Sequence, residues 1–143
     1  MGDVSSPDLV LDYFEANLSP GTRWAIEQQK LRTFFPSFQL VGNGSTVTAA
    51  IGTIETHTNN SYSMRIQLDS FPFALPKVFA RDWEIHPYAP HKFGRDRICI
   101  MRENQWRQNF TIALVVAKTA IWLGKYEVWK RNGNVWPGLG QAH

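Results

Sequence analysis

A chain of 143 residues with 43% hydrophobic and 19% charged side chains can bury a core, fits one domain and is too apolar to be disordered. Fifteen Lys and Arg against twelve Asp and Glu leave a net charge of +3, and no stripe of basic residues interleaved with aromatics supports nucleic-acid binding. No apolar run approaches the roughly 18 residues of a membrane span, the start MGDVSSPDLV lacks the basic and apolar blocks of a signal peptide, and a single cysteine excludes an intrachain disulfide, so a reducing, cytoplasmic setting is expected.

Residues 6–18, SPDLVLDYFEANL, read as a short first helix, with Ser6 as cap, Pro7 in the first helical position, and Leu9, Tyr13 and Phe14 on one face. Ser19-Pro20-Gly21 repeats the start signal for a second helix reaching about Phe35. There Trp24, Gln28, Leu31 and Phe35 share a side and Pro36 is the stop. β-Branched alternation then predicts three strands, near 37–42, 45–56 and 62–68, with turns at Gly42-Asn43-Gly44 and Thr58-Asn59-Asn60. Met64, Ile66 and Leu68 alternate with Arg65, Gln67 and Asp69, which gives one buried and one wet face. The segment FPFALP leads to a fourth strand, Lys77 to Ala80. From Asp82 to Gln108 no periodicity holds, and a loop this long in a compact domain is functional or ordered by packing.

Asn109 is the expected cap of a long helix, TIALVVAKTAIWLGKYEVWKR. Its apolar stripe runs Ile112, Val115, Val116, Thr119, Trp122, Leu123, Tyr126 and Trp129, and Gly133 ends it. The order predicts an α+β fold: an antiparallel four-stranded meander flanked by helices, with a long loop before the C-terminal long helix. Residues 1–143 read as a single domain, with 1–19 a helical extension and 133–143 an irregular tail in which Trp136 tucks against the body.

The stretch HPYAPHKFGRDRICI, residues 86–100, contains the only cysteine. Two readings of Cys99 stand side by side. Ile98 and Ile100 on either side allow a small buried core residue. His91, Lys92, Arg95, Arg97 and Arg102 nearby in sequence would favour a thiolate nucleophile if they were also close in space, although Arg95 and Arg97 also fit a solvated loop face. No phosphate-binding Gly-x-x-x-x-Gly-Lys-Ser/Thr loop and no Cys/His metal spacing occurs, so neither cofactor nor metal is expected.

Four landmarks resemble the ubiquitin-conjugating enzymes, which carry a modifier as a thioester. FPFALPKV, Phe71 to Val78, is similar to the family's Tyr-Pro-Phe-x-x-Pro-x-Val. His86-Pro87-Tyr88 is similar to its His-Pro-Asn, and GRDRICI to its Gly-x-Ile-Cys-Leu. Trp106, with a helix opening at Thr111-Ile112, matches the tryptophan and helix beyond. The resemblance spans about residues 20 to 130 and implies the conjugating-enzyme (UBC-like) fold with Cys99 as nucleophile. It also implies that His86-Pro87 organises the active-site loop through backbone hydrogen bonds. The ending WLGKYEVWKRNGNVWPG resembles compact prokaryotic members encoded in CBASS antiphage operons. Their modifier is a ubiquitin-like protein or a cGAS-like nucleotidyltransferase, joined through its C-terminal carboxylate. An adenylating enzyme, or a donor that arrives already activated, would supply the activation.

The expected function is therefore an acyl carrier and transferase acting through Cys99 on a lysine amine. The alternative is a non-catalytic docking module of the same fold. A thiol hydrolase pairing Cys99 with His86 or His91 has no signature here. The departures are a loop a few residues longer than usual, a chain that ends soon after the long helix, and Tyr88 where the family has Asn. That Asn is credited with steadying the oxyanion, and losing such a donor typically costs ~10²–10³ in rate. Tyr88, His91, Arg102, Asn104 or a backbone N–H are candidate substitutes. A charged donor compensates better than a neutral one, which puts His91 first and Arg102 second, with a nitrogen about 4–6 Å from the sulfur.

Overall fold

The computed structural model describes residues 9–44 and 46–138. Its elements are α1 (Tyr13–Ala16), α2 (Pro20–Phe34), β1 (Gln39–Asn43), β2 (Thr46–Glu55), β3 (Ser61–Gln67), β4 (Lys77–Ala80), β5 (Lys92–Phe93), β6 (Arg97–Ile98), a 3₁₀ turn (Glu103–Gln105) and α3 (Ile112–Arg131).

The expected first helix shrinks to the four residues of α1. Asp12 caps it in a reciprocal capping box with Glu15, while Ser6 and Pro7 lie outside the described residues. The preceding Leu9-Val10-Leu11 is extended because a distant partner claims its backbone. Leu11 N–H donates to Asn109 O (2.7 Å), Thr111 Oγ donates to Leu9 O (2.8 Å), and Val10 bridges Phe110. Period-two alternation then buries Leu9 and Leu11, whereas Tyr13 and Phe14, expected to share a face with Leu9, are exposed.

Helix α2 begins as its signals predict, with Ser19 as cap and Pro20 first. Its buried face differs from the expected one. Arg23, Glu27 and Leu31 are buried, Trp24 is half-buried and packs on Phe71, Gln28 is exposed, and Phe35 falls past the last turn. The charged pair survives burial because every strong demand of the carboxylate is met: Arg23 Nε donates to Glu27 (2.7 Å) and Ile112 N–H donates to its other oxygen (2.8 Å). Arg23 also reaches Phe110 O (2.9 Å). One buried pair thus ties α2 to the N-terminus of α3.

The meander β1-β2-β3-β4 is antiparallel as expected, and Tyr62, Met64 and Ile66 on β3 face the core. The sheet has six strands rather than four, in the order β1-β2-β3-β4-β6-β5, because the stretch read as an aperiodic loop folds a small hairpin onto β4. Gly94, at φ 62°, makes the hairpin's turn.

Thr111 caps α3 by accepting from Leu114 N–H (3.0 Å), in place of Asn109, whose amide is spent on Leu11 O (3.0 Å). The whole predicted stripe is buried and joins the sheet in one core. Gly133, at φ 66°, follows the C-cap Asn132. Near the other end of α3, Glu127 receives Thr56, Thr58, Asn60 and Tyr62 from the β2–β3 hairpin at 2.8–3.1 Å. Among the described residues no helix is long and apolar enough to cross a membrane.

Candidate active site around Cys99

Cys99 directly follows β6. Ile98 and Ile100 are both buried, so alternation turns the residue between them to the other face, and Cys99 is half-buried, not sealed in the core. It lines a cavity of about 400 Å³ with Leu75, Pro76, Phe93, Arg97 and Arg102 among its walls. Among the described residues the thiol's hydrogen bond is a long one to Met101 O (3.8 Å). Burial pushes its pKa above the ordinary thiol value, and the Arg97 charge pulls the other way without cancelling it.

The cysteine backbone is fixed from the far side of the loop. Cys99 N–H donates to His91 O (2.9 Å), and the Trp122 indole on α3 donates to the same carbonyl (3.0 Å). His91 adopts φ 58°, left-handed and unusual for a residue with a side chain. Its ring packs edge-on to Trp136 at 5.1 Å, and Trp136 lies 5.4 Å from Trp122. The tail tryptophan thus tucks against the body as expected, resting on the Cys99 loop and α3.

The cations of the loop disperse. Arg97 lies over the Phe93 ring at 4.5 Å and lines the same cavity as Cys99. Arg102 is exposed on the cavity rim, its N–H held by Gln105 Oε1 (2.8 Å). Lys92 caps Gly94 O (2.9 Å), and Arg95 makes an exposed pair with Glu84 (3.8 Å).

His86 sits where the loop meets α3. Its N–H donates to Tyr126 Oη (2.9 Å), its Nδ1 accepts from Tyr88 N–H (3.1 Å), and its ring packs edge-on to Trp129 at 5.3 Å. Pro87 is exposed between these two backbone contacts, and Tyr88, 82% exposed, points its phenol to solvent. Asn104 is exposed in the 3₁₀ turn, where its carbonyl accepts from Arg107 (3.0 Å). Trp106 is buried, donates to Pro72 O (2.8 Å) and meets Phe71 and Phe110 edge-on, anchoring the FPFALP segment beside the cavity. The structure therefore gathers Cys99, Arg97 and Arg102 at one cavity, joins His91 to Cys99 through a backbone carbonyl, and sets His86 against the end of α3 with Pro87 and Tyr88 exposed beside it.

A family model described as Type II CBASS E2 protein matches residues 27–143. The chain belongs to that family. The match includes the Cys99 loop, the FPFALP segment and all of α3. The protein's role is accordingly E2-like, within CBASS antiphage systems. No curated protein matches the chain.

Proposed function

We propose that this CBASS E2 protein is a conjugating transferase that forms a thioester at Cys99 with the C-terminal carboxylate of a protein modifier and passes the acyl group to a lysine amine. The single observation that carries the reading is the position of Cys99. It is the chain's only thiol, facing a cavity from the end of a strand and pinned by its backbone N–H to an ordered loop. A nucleophile needs both access and a fixed approach direction, and a structural cysteine needs neither.

His86 acts as the loop's organiser, since its hydrogen bonds go to backbone N–H and to Tyr126. Of the two favoured substitutes for the family's Asn, Arg102 stands on the cavity rim, and His91 contributes its carbonyl to the Cys99 backbone. The modifier is a ubiquitin-like protein or the cGAS-like nucleotidyltransferase of the same system, its carboxylate activated by an adenylating enzyme or already activated on arrival.

The competing reading, a docking module without chemistry, draws on the raised thiol pKa and on Tyr88 in the Asn position. The two separate in one experiment. Incubated with each candidate modifier and its activating enzyme, a transferase gives a higher-mass species that reductant removes, and a docking module gives a complex that dissociates in denaturant.

A further inference from the structure

We propose that Arg97 is the hydrogen-bond donor to the acyl oxygen at Cys99, the part left open by Tyr88. The proposal rests on the transferase reading above. Four observations place Arg97 there. It opens β6 two residues before Cys99, so the two side chains project to the same face while Ile98 between them enters the core. Both line the same cavity. Phe93, directly opposite Arg97 in the β5–β6 register, lies under its guanidinium at 4.5 Å and limits where it can go. Finally, Arg97 Nε is buried yet has no acceptor among the described residues. Buried N–H groups are nearly always paired, and the exceptions ask for an explanation. A donor left unpaired on a residue that lines the nucleophile's cavity can take an acceptor that arrives with the substrate.

Arg102 shares the cavity but is exposed, so its charge is screened by water and its position is not held. The Arg97 charge is also the one that pulls the thiol's pKa down against burial.

During loading, the Cys99 thiol gives its proton to solvent and the thiolate forms a C–S bond to the carbonyl carbon of an activated acyl donor, an acyl adenylate or a thioester. The carbonyl electron pair moves onto oxygen, where Arg97 Nε–H meets it. Collapse then expels adenylate or thiolate with its bonding pair. In transfer, a neutral amine forms the C–N bond and the same oxygen takes up the pair again. Collapse returns the Cys99 thiolate, and the nitrogen loses its extra proton to solvent.

The test uses the full chain and a small probe. Cys99 is loaded by exchange with the mercaptoethanesulfonate thioester of N-acetylglycine, and discharge to free lysine is followed by intact mass. Arg97→Gln should slow discharge by about 10²-fold, and Arg97→Lys, which keeps the charge and stem but lacks the Nε–H, should recover only part of that loss. In parallel, the pH midpoint of Cys99 alkylation by iodoacetamide should rise in Arg97→Gln and return towards wild type in Arg97→Lys. Should Arg97→Gln fail to fold, Arg97→Lys alone carries the discharge test. Discharge within twofold of wild type in the folded variant overturns the role of Arg97 while leaving the transferase intact. A wild-type thioester that discharges to lysine no faster than the mercaptoethanesulfonate thioester itself removes both.

Discussion

Replacing Trp136 with Ala tests whether the tail holds the cysteine loop. Trp136 meets the His91 ring at 5.1 Å and Trp122 at 5.4 Å. Aromatic pairs of this kind contribute about 0.5–1.5 kcal/mol each, so the two together supply about 1–3 kcal/mol. That energy bears on a residue whose left-handed backbone, φ 58°, itself costs roughly 1–2 kcal/mol. With tenfold for every 1.4 kcal/mol, Trp136→Ala should let the loop open about 5- to 150-fold more often. The reporter is the Cys99 amide, which is bonded to His91 O. Its hydrogen exchange should accelerate by that factor, while amides of β3 keep their protection. Trp136→Phe, with an aromatic edge in the same place, should recover most of the loss. Exchange at Cys99 within twofold of wild type in Trp136→Ala would show that the loop orders itself without the tail.

Glu127→Ala should cost about 1–3 kcal/mol in urea unfolding, because the buried Tyr62 hydroxyl loses its acceptor whereas Thr56 keeps Thr58 and the Asn60 carbonyl. Adding Tyr62→Phe should return part of that loss, and strict additivity of the two changes would contradict the assignment. Burial pushes the Glu127 carboxyl up, but the bonds from Asn60, Tyr62, Thr58 and Thr56 outweigh it and hold its pKa below the ordinary 4.5. Its contribution is therefore intact above about pH 4.5 and lost as the pH falls below it, so Glu127→Gln should flatten the acid limb of the stability profile. Glu27→Ala, which strands buried Arg23, should cost about 3–5 kcal/mol, and a paired Arg23→Met/Glu27→Met should cost clearly less by the same melts. Iodoacetamide alkylation of Cys99 should still be accelerating above pH 9.0, since burial raises the thiol; a plateau below pH 8 would contradict that environment.

The parts of the fold legible in the sequence are those whose pattern is local. Met64 and Ile66 alternate with Arg65 and Gln67, and β3 lies where that alternation puts it. The long apolar stripe gives α3 to within a residue. What escaped reading depends on partners far along the chain. Leu9-Val10-Leu11 carries both a helical and an alternating pattern, and only its pairing with residues about a hundred positions away decides between them. Arg23 and Glu27 look like a solvated pair four residues apart and are instead buried by Ile112 and Phe110. Strands β5 and β6, two residues each, are too short to show any period.

For the site, Cys99 and its histidine-proline loop were legible as motif. Arg97 separates from Arg95 because it falls inside β6 while Arg95 lies in the turn before it, a boundary visible only once β6 is known to exist. The use of the His91 carbonyl by both Cys99 and Trp122 had no sequence signal, because it is a property of backbone direction and not of side-chain type.

The central claim is a covalent bond at one sulfur. Intact-mass analysis of the protein after incubation with an activated modifier should show an adduct equal to the two chains less one water. It should be cleaved by hydroxylamine and be absent in Cys99→Ala. An adduct that persists in Cys99→Ala, or no adduct with any activated modifier of a CBASS system, would contradict it.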